Sequence, residues 1–136
     1  MFKTVLIPID LSHAEAGKEM IGVAKRMGGE GVQVILINVV EDIPTYVAAE
    51  LPGGYLEKST QSAQEALEEI AKEANVETSV EVRSGQVYRS ILAAAEERNV
   101  DLIVIGSHRP GIQDFLLGST AARVVRHANC TVLVVR

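Results

Sequence analysis

Small residues near the end of the chain have the composition of an anion-binding site. An apolar strand at residues 102–105 stops at Gly106, and Gly118, Ser119 and Thr120 open a later helix. Glycine lets a phosphate approach the backbone closely. The first N–H groups of a helix lack a helical partner and carry the positive end of its dipole. These residues could simply cap the helix, but we favour the interpretation that they bind a phosphate.

A second polar residue follows the first apolar strand, residues 4–9. Pro8 marks the end of that strand because proline is costly inside a ladder. Asp10 therefore lies at its C-terminal edge, beside Ser12, which we expect to be the N-cap of the first helix. Asp10 could hydrogen-bond an adenosine or orient a metal ion, and it could equally be an acidic neighbour of that helix.

Strand and helix patterns alternate along the whole chain. Apolar strands are predicted at residues 4–9, 32–40, 102–105 and 131–136, and a strand with one polar face at residues 77–83. Amphipathic helices lie between successive strands, except that residues 41–59 first form a long connection with Pro44, Pro52, Gly53 and Gly54. This alternation predicts an α/β fold with an open five-stranded parallel sheet, helices on both faces and one domain, residues 1–136.

Composition excludes several classes of function. A net charge of −5 argues against nucleic acid as a partner. The late basic residues, Arg109, Arg123, Arg126, His127 and Arg136, are enough for a phosphate but not for a duplex. No apolar run is long enough for membrane insertion. The chain has no leader pattern and one cysteine, Cys130, so we expect a cytoplasmic protein with an inert buried thiol.

Three stretches of the sequence resemble the universal stress protein family. They read VLIPID at residues 5–10, ILINVV at residues 35–40, and DLIVIGSHRPGIQDFLLGSTAARVVRHANCTVLVVR at residues 101–136. The resemblance covers the whole chain, and the form GSHRPG…LLGS is similar to the F/G-type branch. It implies an adenine nucleotide alpha-hydrolase-like fold with strand order 3-2-1-4-5. It also implies ATP as the cofactor, with Mg²⁺ as a possible companion.

The family motif for ATP, G-x2-G-x9-G-[S/T], is only partly present. Gly106, Gly118 and Ser119 match it, whereas Arg109 replaces the second glycine and eight residues, one fewer than in the motif, separate Arg109 from Gly118. Arg109 could block the phosphates or replace lost backbone contacts with a charged hydrogen bond. The site residues implied by layout and resemblance together are Pro8, Ile9, Asp10, Val39, Gly106, Ser107, His108, Arg109, Gly118, Ser119 and Thr120.

The last strand indicates how the protein assembles. Val132, Leu133, Val134 and Val135 are apolar on both faces although the strand should lie at a sheet edge. Apolar edges pair readily with another chain, and members of the family dimerise through this strand. We expect a homodimer that pairs this strand with its copy. A further protein partner of unspecified identity is also compatible with the sequence.

Three functions remain open at this point. The first is a stress-response protein that binds ATP and signals by its bound state. The second is a slow ATPase or autophosphorylating protein, for which Asp10, Ser107, Ser119 and Thr120 are the candidate groups, and no histidine or carboxylate is evidently placed to activate water. The third is a nucleotide-free dimeric interaction module, which the replacement of a glycine by Arg109 would favour.

Overall fold

The computed structural model describes residues 1–107 and 117–136 and confirms the α/β alternation. The strands are β1 Phe2–Pro8, β2 Gly28–Glu41, β3 Thr78–Gly85, β4 Leu102–Gly106 and β5 Thr131–Val135. The helices are α1 Ala14–Met27, α2 Thr45–Ala48, α3 Tyr55–Lys72, α4 Val87–Glu97 and α5 Ser119–His127. None of these described helices has the length and apolar character needed to cross a membrane.

Within the described residues, the five strands form one parallel sheet in the predicted order β3-β2-β1-β4-β5. β1 is the central strand, and Val5, Leu6 and Ile7 have 0% of their surface exposed. A strand buried on both faces has to be apolar throughout, which explains the continuous apolar run. Asp101, the residue before β4, holds the start of β1 in place. Its carboxylate accepts hydrogen bonds from the amides of Lys3 (2.9 Å) and Thr4 (2.9 Å).

Each face of the sheet carries its own apolar core. On one face Val5 and Ile7 pack with Met20 of α1 and with Leu67 and Ile70 of α3. On the other face the alternate residues of the strands pack against α4 and α5; they include Leu6, Ile35, Ile37, Ile103 and Ile105. Two layers of helices enclosing one sheet result from the alternation of side chains along each strand.

The polar face of β3 lies at a sheet edge, as predicted, and is covered by charged groups of α4 and the residue after it. Arg83 forms ion pairs with Glu97 of α4 and, at 3.3 Å, with Glu81 on its own strand. Arg98, just after α4, donates to the hydroxyl of Ser79 at 3.3 Å. The alternating sequence of β3 therefore arises because the polar side chains on one of its faces form ion pairs and hydrogen bonds with charged residues at the end of α4.

Two local predictions were wrong. The connection at residues 41–59 is shorter than expected, because β2 continues to Glu41, α2 lies within the connection, and α3 begins at Tyr55. Gly54 adopts φ +79° immediately before α3, so a glycine that suggested loop structure instead begins a helix. Ser12 is not an N-cap; it lies in a 3-10 turn, Leu11–His13, that precedes α1.

Close packing at Gly28 gives a test of the fold. A Cβ added there would lie 2.6 Å from the Cβ of Val32, so the two cannot coexist without a backbone shift. We expect Gly28→Ala to lower the free energy of unfolding by about 1–3 kcal/mol, the usual cost of overpacking. Gly53→Ala is the matched control because nothing lies within 4 Å of its added Cβ. Equal urea midpoints for the two variants would contradict the packing described here.

Candidate functional site

A cleft of about 590 Å³ opens at the C-terminal ends of β1, β2 and β4. Its volume falls within the usual range of ligand pockets, and it lies where the strand order reverses, the expected ligand position in open α/β sheets. Of the eleven predicted site residues, nine line it: Pro8, Ile9, Asp10, Val39, Gly106, Ser107, Gly118, Ser119 and Thr120. The other two, His108 and Arg109, lie outside the described residues.

The first turn of α5 forms one wall of the cleft. Gly118 is its N-cap residue, with φ −60° and ψ 152°, and no side chain within the described residues caps this end. The same holds for α1, α3 and α4. The distinctive feature of α5 is that Ser119, Thr120 and Ala121 in succession line the cleft. Their N–H groups are the unpaired donors of the helix end, so this wall offers donors to an anion.

Among residues 1–107 and 117–136, no packing contact requires either glycine of this wall. A Cβ at Gly118 would lie 3.7 Å from the carbonyl oxygen of Ser107, and one at Gly106 would lie 3.7 Å from the sulfur of Met20. Both are ordinary van der Waals distances, and neither residue has a positive φ. Against the part of the chain that the structure describes, alanine would therefore fit at both positions.

The end of β1 carries an oriented pair of polar side chains. One carboxylate oxygen of Asp10 accepts from the amide of Ser12 at 2.9 Å, and the other lies 3.1 Å from Nδ1 of His13. Burial raises the pKa of Asp10, but these hydrogen bonds and the charge of His13 outweigh it and hold that pKa below its usual value. Asp10 therefore caps the 3-10 turn and also lines the cleft as an ionised acceptor.

Sequence reasoning missed two residues that define this end of the cleft, Asn38 and His13. Nδ2 of Asn38 donates to the carbonyl of Ile9 at 2.9 Å, and the amide of Ile9 donates to Ile37 at 2.8 Å. These bonds extend the pairing of β1 and β2 past Pro8 and fix the position of Asp10. The available signal was the single polar side chain in the apolar run ILINVV.

The late basic residues do not converge on the cleft as a group. The guanidinium of Arg123 lies 5.2 Å from the ring centroid of Tyr88, and the ring of His127 stacks on the same tyrosine at 6.0 Å. Of the late basic residues that the structure describes, Arg136 alone lines the cleft. Arg123 and His127, two of the basic residues that could have held a phosphate, therefore contact Tyr88 and do not line the cleft.

Two further chemistries can be assessed on the described residues: metal binding, and the reactivity of the Cys130 thiol. Among residues 1–107 and 117–136, no group of three or more His, Cys, Asp or Glu side chains is arranged to hold a metal ion. Cys130 is half-buried, and burial, followed by the charge of Asp101, raises the pKa of its thiol. A raised pKa keeps the sulfur protonated and less nucleophilic, in keeping with the expected inert thiol.

The sequence matches the model of the universal stress protein family over residues 1–136. The chain belongs to this family. Universal stress protein G of Escherichia coli O157:H7 is 31% identical over 142 residues, covering 100% of both chains. A universal stress protein of Methanocaldococcus jannaschii is 33% identical, covering 100% of this chain and 83% of its own.

Solved universal stress protein structures share the fold. The structure of hypothetical protein MJ0577 superposes with a TM-score of 0.81 at 28% identity, covering 99% of this chain and 96% of that one. A universal stress protein in complex with cAMP has a TM-score of 0.67 at 19% identity and covers 99% and 97%. One from Archaeoglobus fulgidus in complex with dAMP has a TM-score of 0.67 at 18% identity and covers 98% of each chain.

The hydrogen bond from Asn38 predicts a measurable contribution to the stability of this universal stress protein. We expect Asn38→Ala to lower the free energy of unfolding by about 1 kcal/mol, because the half-buried carbonyl of Ile9 loses its donor. Gln33→Ala, an exposed change on the same strand, is the control and should have little effect. If urea denaturation gave the same stability for both variants, Asn38 would not hold this strand end.

Proposed function

We propose that this universal stress protein binds an adenine nucleotide, ATP, in the cleft at the strand C-terminal ends and acts in the cytoplasm as a homodimeric stress-response module. The observation that carries the proposal is the opening of α5 into the cleft, with Ser119 and Thr120 beside Gly106 and Ser107. Helix N-termini are favourable places for phosphate because of their free N–H groups and dipole. The single cysteine suits a reducing compartment.

The remaining walls suit the nucleoside. Ile9 and Val39 offer apolar surface for a flat base at the ends of β1 and β2. Asp10 accepts one hydrogen bond on each carboxylate oxygen, and each oxygen has a second lone pair for a donor from the ligand. Two universal stress proteins of the same fold hold cAMP and dAMP, which supports an adenine nucleotide here. Mg²⁺ would arrive on the phosphates, as it usually does with ATP.

The proposal predicts a thermodynamic response to ATP. At a hundredfold excess over its dissociation constant, ATP should add about 2.7 kcal/mol to the free energy of unfolding.

Gly118→Ala should weaken ATP binding tenfold or more, because it adds a methyl group to the cleft wall beside the carbonyl of Ser107. The unliganded variant should lose at most about 1 kcal/mol, the usual cost of alanine at an N-cap. Gly53→Ala is again the control.

Thermal melts with ATP, ADP, AMP and GTP test this prediction. If no adenine nucleotide shifts the melting temperature, nucleotide binding is rejected and the nucleotide-free interaction module takes its place.

The same assay on Arg109→Gly decides between the two roles of Arg109 left open by the sequence. A fall in affinity would indicate a phosphate contact, whereas a rise would indicate that the arginine hinders the ligand.

The proposed homodimer rests on the edge position of β5. Within the described residues β5 pairs with β4 alone, and its four valine and leucine side chains are half-buried. The amide of Ser107 donates to the carbonyl of Val135 at 3.0 Å. Because backbone groups alternate in direction along a strand, the N–H of Val134 points away from β4. That donor is available to a second copy of the strand.

Dimerisation should depend on this outward edge. We expect the wild type to approach twice the monomer mass with rising concentration in sedimentation equilibrium. Val134→Pro should give a folded monomer, since it removes an outward N–H and leaves the bonds to β4 in place. Val134→Thr keeps that N–H and the branched side chain and should still dimerise. A monomeric wild type, or a dimer that survives Val134→Pro, would rule out this interface.

A further inference from the structure

Arg136 lies at the corner of the cleft where α5 begins. The register of β4 and β5 pairs Gly106 with Val135, and the amide of Ser107 donates to the carbonyl of Val135 at 3.0 Å. Arg136 follows Val135 directly, so the chain leaves β5 beside Ser107. A Cβ added at Gly118, the N-cap residue of α5, would lie 3.7 Å from the carbonyl oxygen of Ser107. Arg136, Ser107 and Gly118 therefore share one corner, and all three line the cleft.

The side chain of Ser107 adds a polar group to this corner. The residue lines the cleft although only 8% of its surface is exposed. Its amide is bonded to β5, whereas within residues 1–107 and 117–136 its hydroxyl has no hydrogen-bond partner. A hydroxyl can both donate and accept, so an oxygen of a ligand in this corner would satisfy it. The corner thus offers more to an anion than the helix end alone.

Charged groups are separated along the described part of the cleft. The ionised carboxylate of Asp10 follows β1, and the carboxylate of Glu41 lies at the end of β2. Arg136, at the end of β5, is the only lysine or arginine among the described residues that line the cleft. The sheet order places β4 and β5 on the side of β1 opposite β2. The cleft therefore has an anionic side toward β2 and a cationic corner at β5.

A third carboxylate increases the importance of this cation. Glu19 of α1 lines the cleft next to Met20, whose sulfur would lie 3.7 Å from a Cβ added at Gly106. Negative charge is therefore also present on the β4 side. Each additional phosphate on a ligand adds negative charge that these carboxylates repel. Among the described lining residues, Arg136 carries the compensating full positive charge, because a guanidinium stays protonated near neutral pH.

We propose that Arg136 binds the outer phosphates of a nucleotide in this cleft and makes the cleft select a triphosphate over a monophosphate. The inference rests on the proposed function, since it needs an adenine nucleotide whose phosphates face α5. The first N–H groups of α5 carry partial charges and hold one part of the phosphate chain. The guanidinium supplies a full charge and a planar pair of donors, which match phosphate oxygens in a bidentate contact.

The affinities of ATP, ADP and AMP test this proposal by calorimetric titration. They are measured without Mg²⁺, so that no metal charge replaces the guanidinium, and again with it. The wild type should bind ATP more tightly than AMP. Arg136→Gln should weaken ATP binding about tenfold or more and AMP binding less than about threefold, because charge-assisted hydrogen bonds are lost only to the outer phosphates. Arg136→Lys keeps the charge without the fork and should retain part of the preference.

Arg126→Gln is the matched control for net charge. Arg126 is exposed on α5 and does not line the cleft, so this variant should keep the wild-type ratio of ATP to AMP affinity. Raising the salt concentration should reduce the preference for ATP in the wild type more than in Arg136→Gln. A structural role for Arg136 would instead weaken ATP and AMP binding alike. If Arg136→Gln does not fold, the ratio in Arg136→Lys decides.

The outcomes distinguish this proposal from the proposed function. A wild type without preference for ATP over AMP overturns the role of Arg136, and so do equal losses for both ligands in Arg136→Gln or an unchanged ATP affinity. In each of these cases nucleotide binding in the cleft stands. A wild type that binds no adenine nucleotide, with or without Mg²⁺, overturns both.

Discussion

The complete burial of the middle of β1, at Val5, Leu6 and Ile7, is the constraint on which the rest of the structure depends. The strand has hydrogen-bonded neighbours on both edges and a layer of helices on both faces. Its chain therefore has to leave at the C-terminal end, where the pairing with β2 ends at Ile9 and the next residues lead into α1. β4 ends beside it and continues toward α5 on the other face. Two neighbouring strands whose helices diverge leave a crevice between them, so the apolar core determines where polar residues can meet.

Much of the fold and the location of the cleft could be predicted from the sequence. The periodicities of two and of about 3.6 residues placed the main strands and helices, because each element has to bury one face. Periodicity alone did not determine the strand order, which came from the family resemblance. Residues 41–59 were predicted wrongly because Pro44 and Gly54 indicate loops, whereas here they flank helices. Their helical neighbours have few buried side chains and so show weak periodicity.

The details of the site were harder to predict because they depend on contacts between distant residues. The bond from Asn38 to Ile9 joins positions 29 apart in the sequence, and the role of Asn38 appears only when β2 lies beside β1. His13 was invisible for a related reason. Its pairing with Asp10 needs the 3-10 turn that brings residues three apart together, where the sequence suggested a helix capped by Ser12.

The charge distribution limits how an anion can be held. The chain carries a net charge of −5, and of the described residues three carboxylates, those of Asp10, Glu19 and Glu41, line the cleft together with Arg136. The net charge does not favour the proposed phosphate there, so local dipoles and N–H groups would have to hold it. The glycines fit this view. The packing of Gly28 explains why it is glycine, whereas Gly106 and Gly118 have ordinary φ values and space for a Cβ. The proposed ligand, approaching the backbone closely, would give these two glycines a reason that the described part of the protein does not.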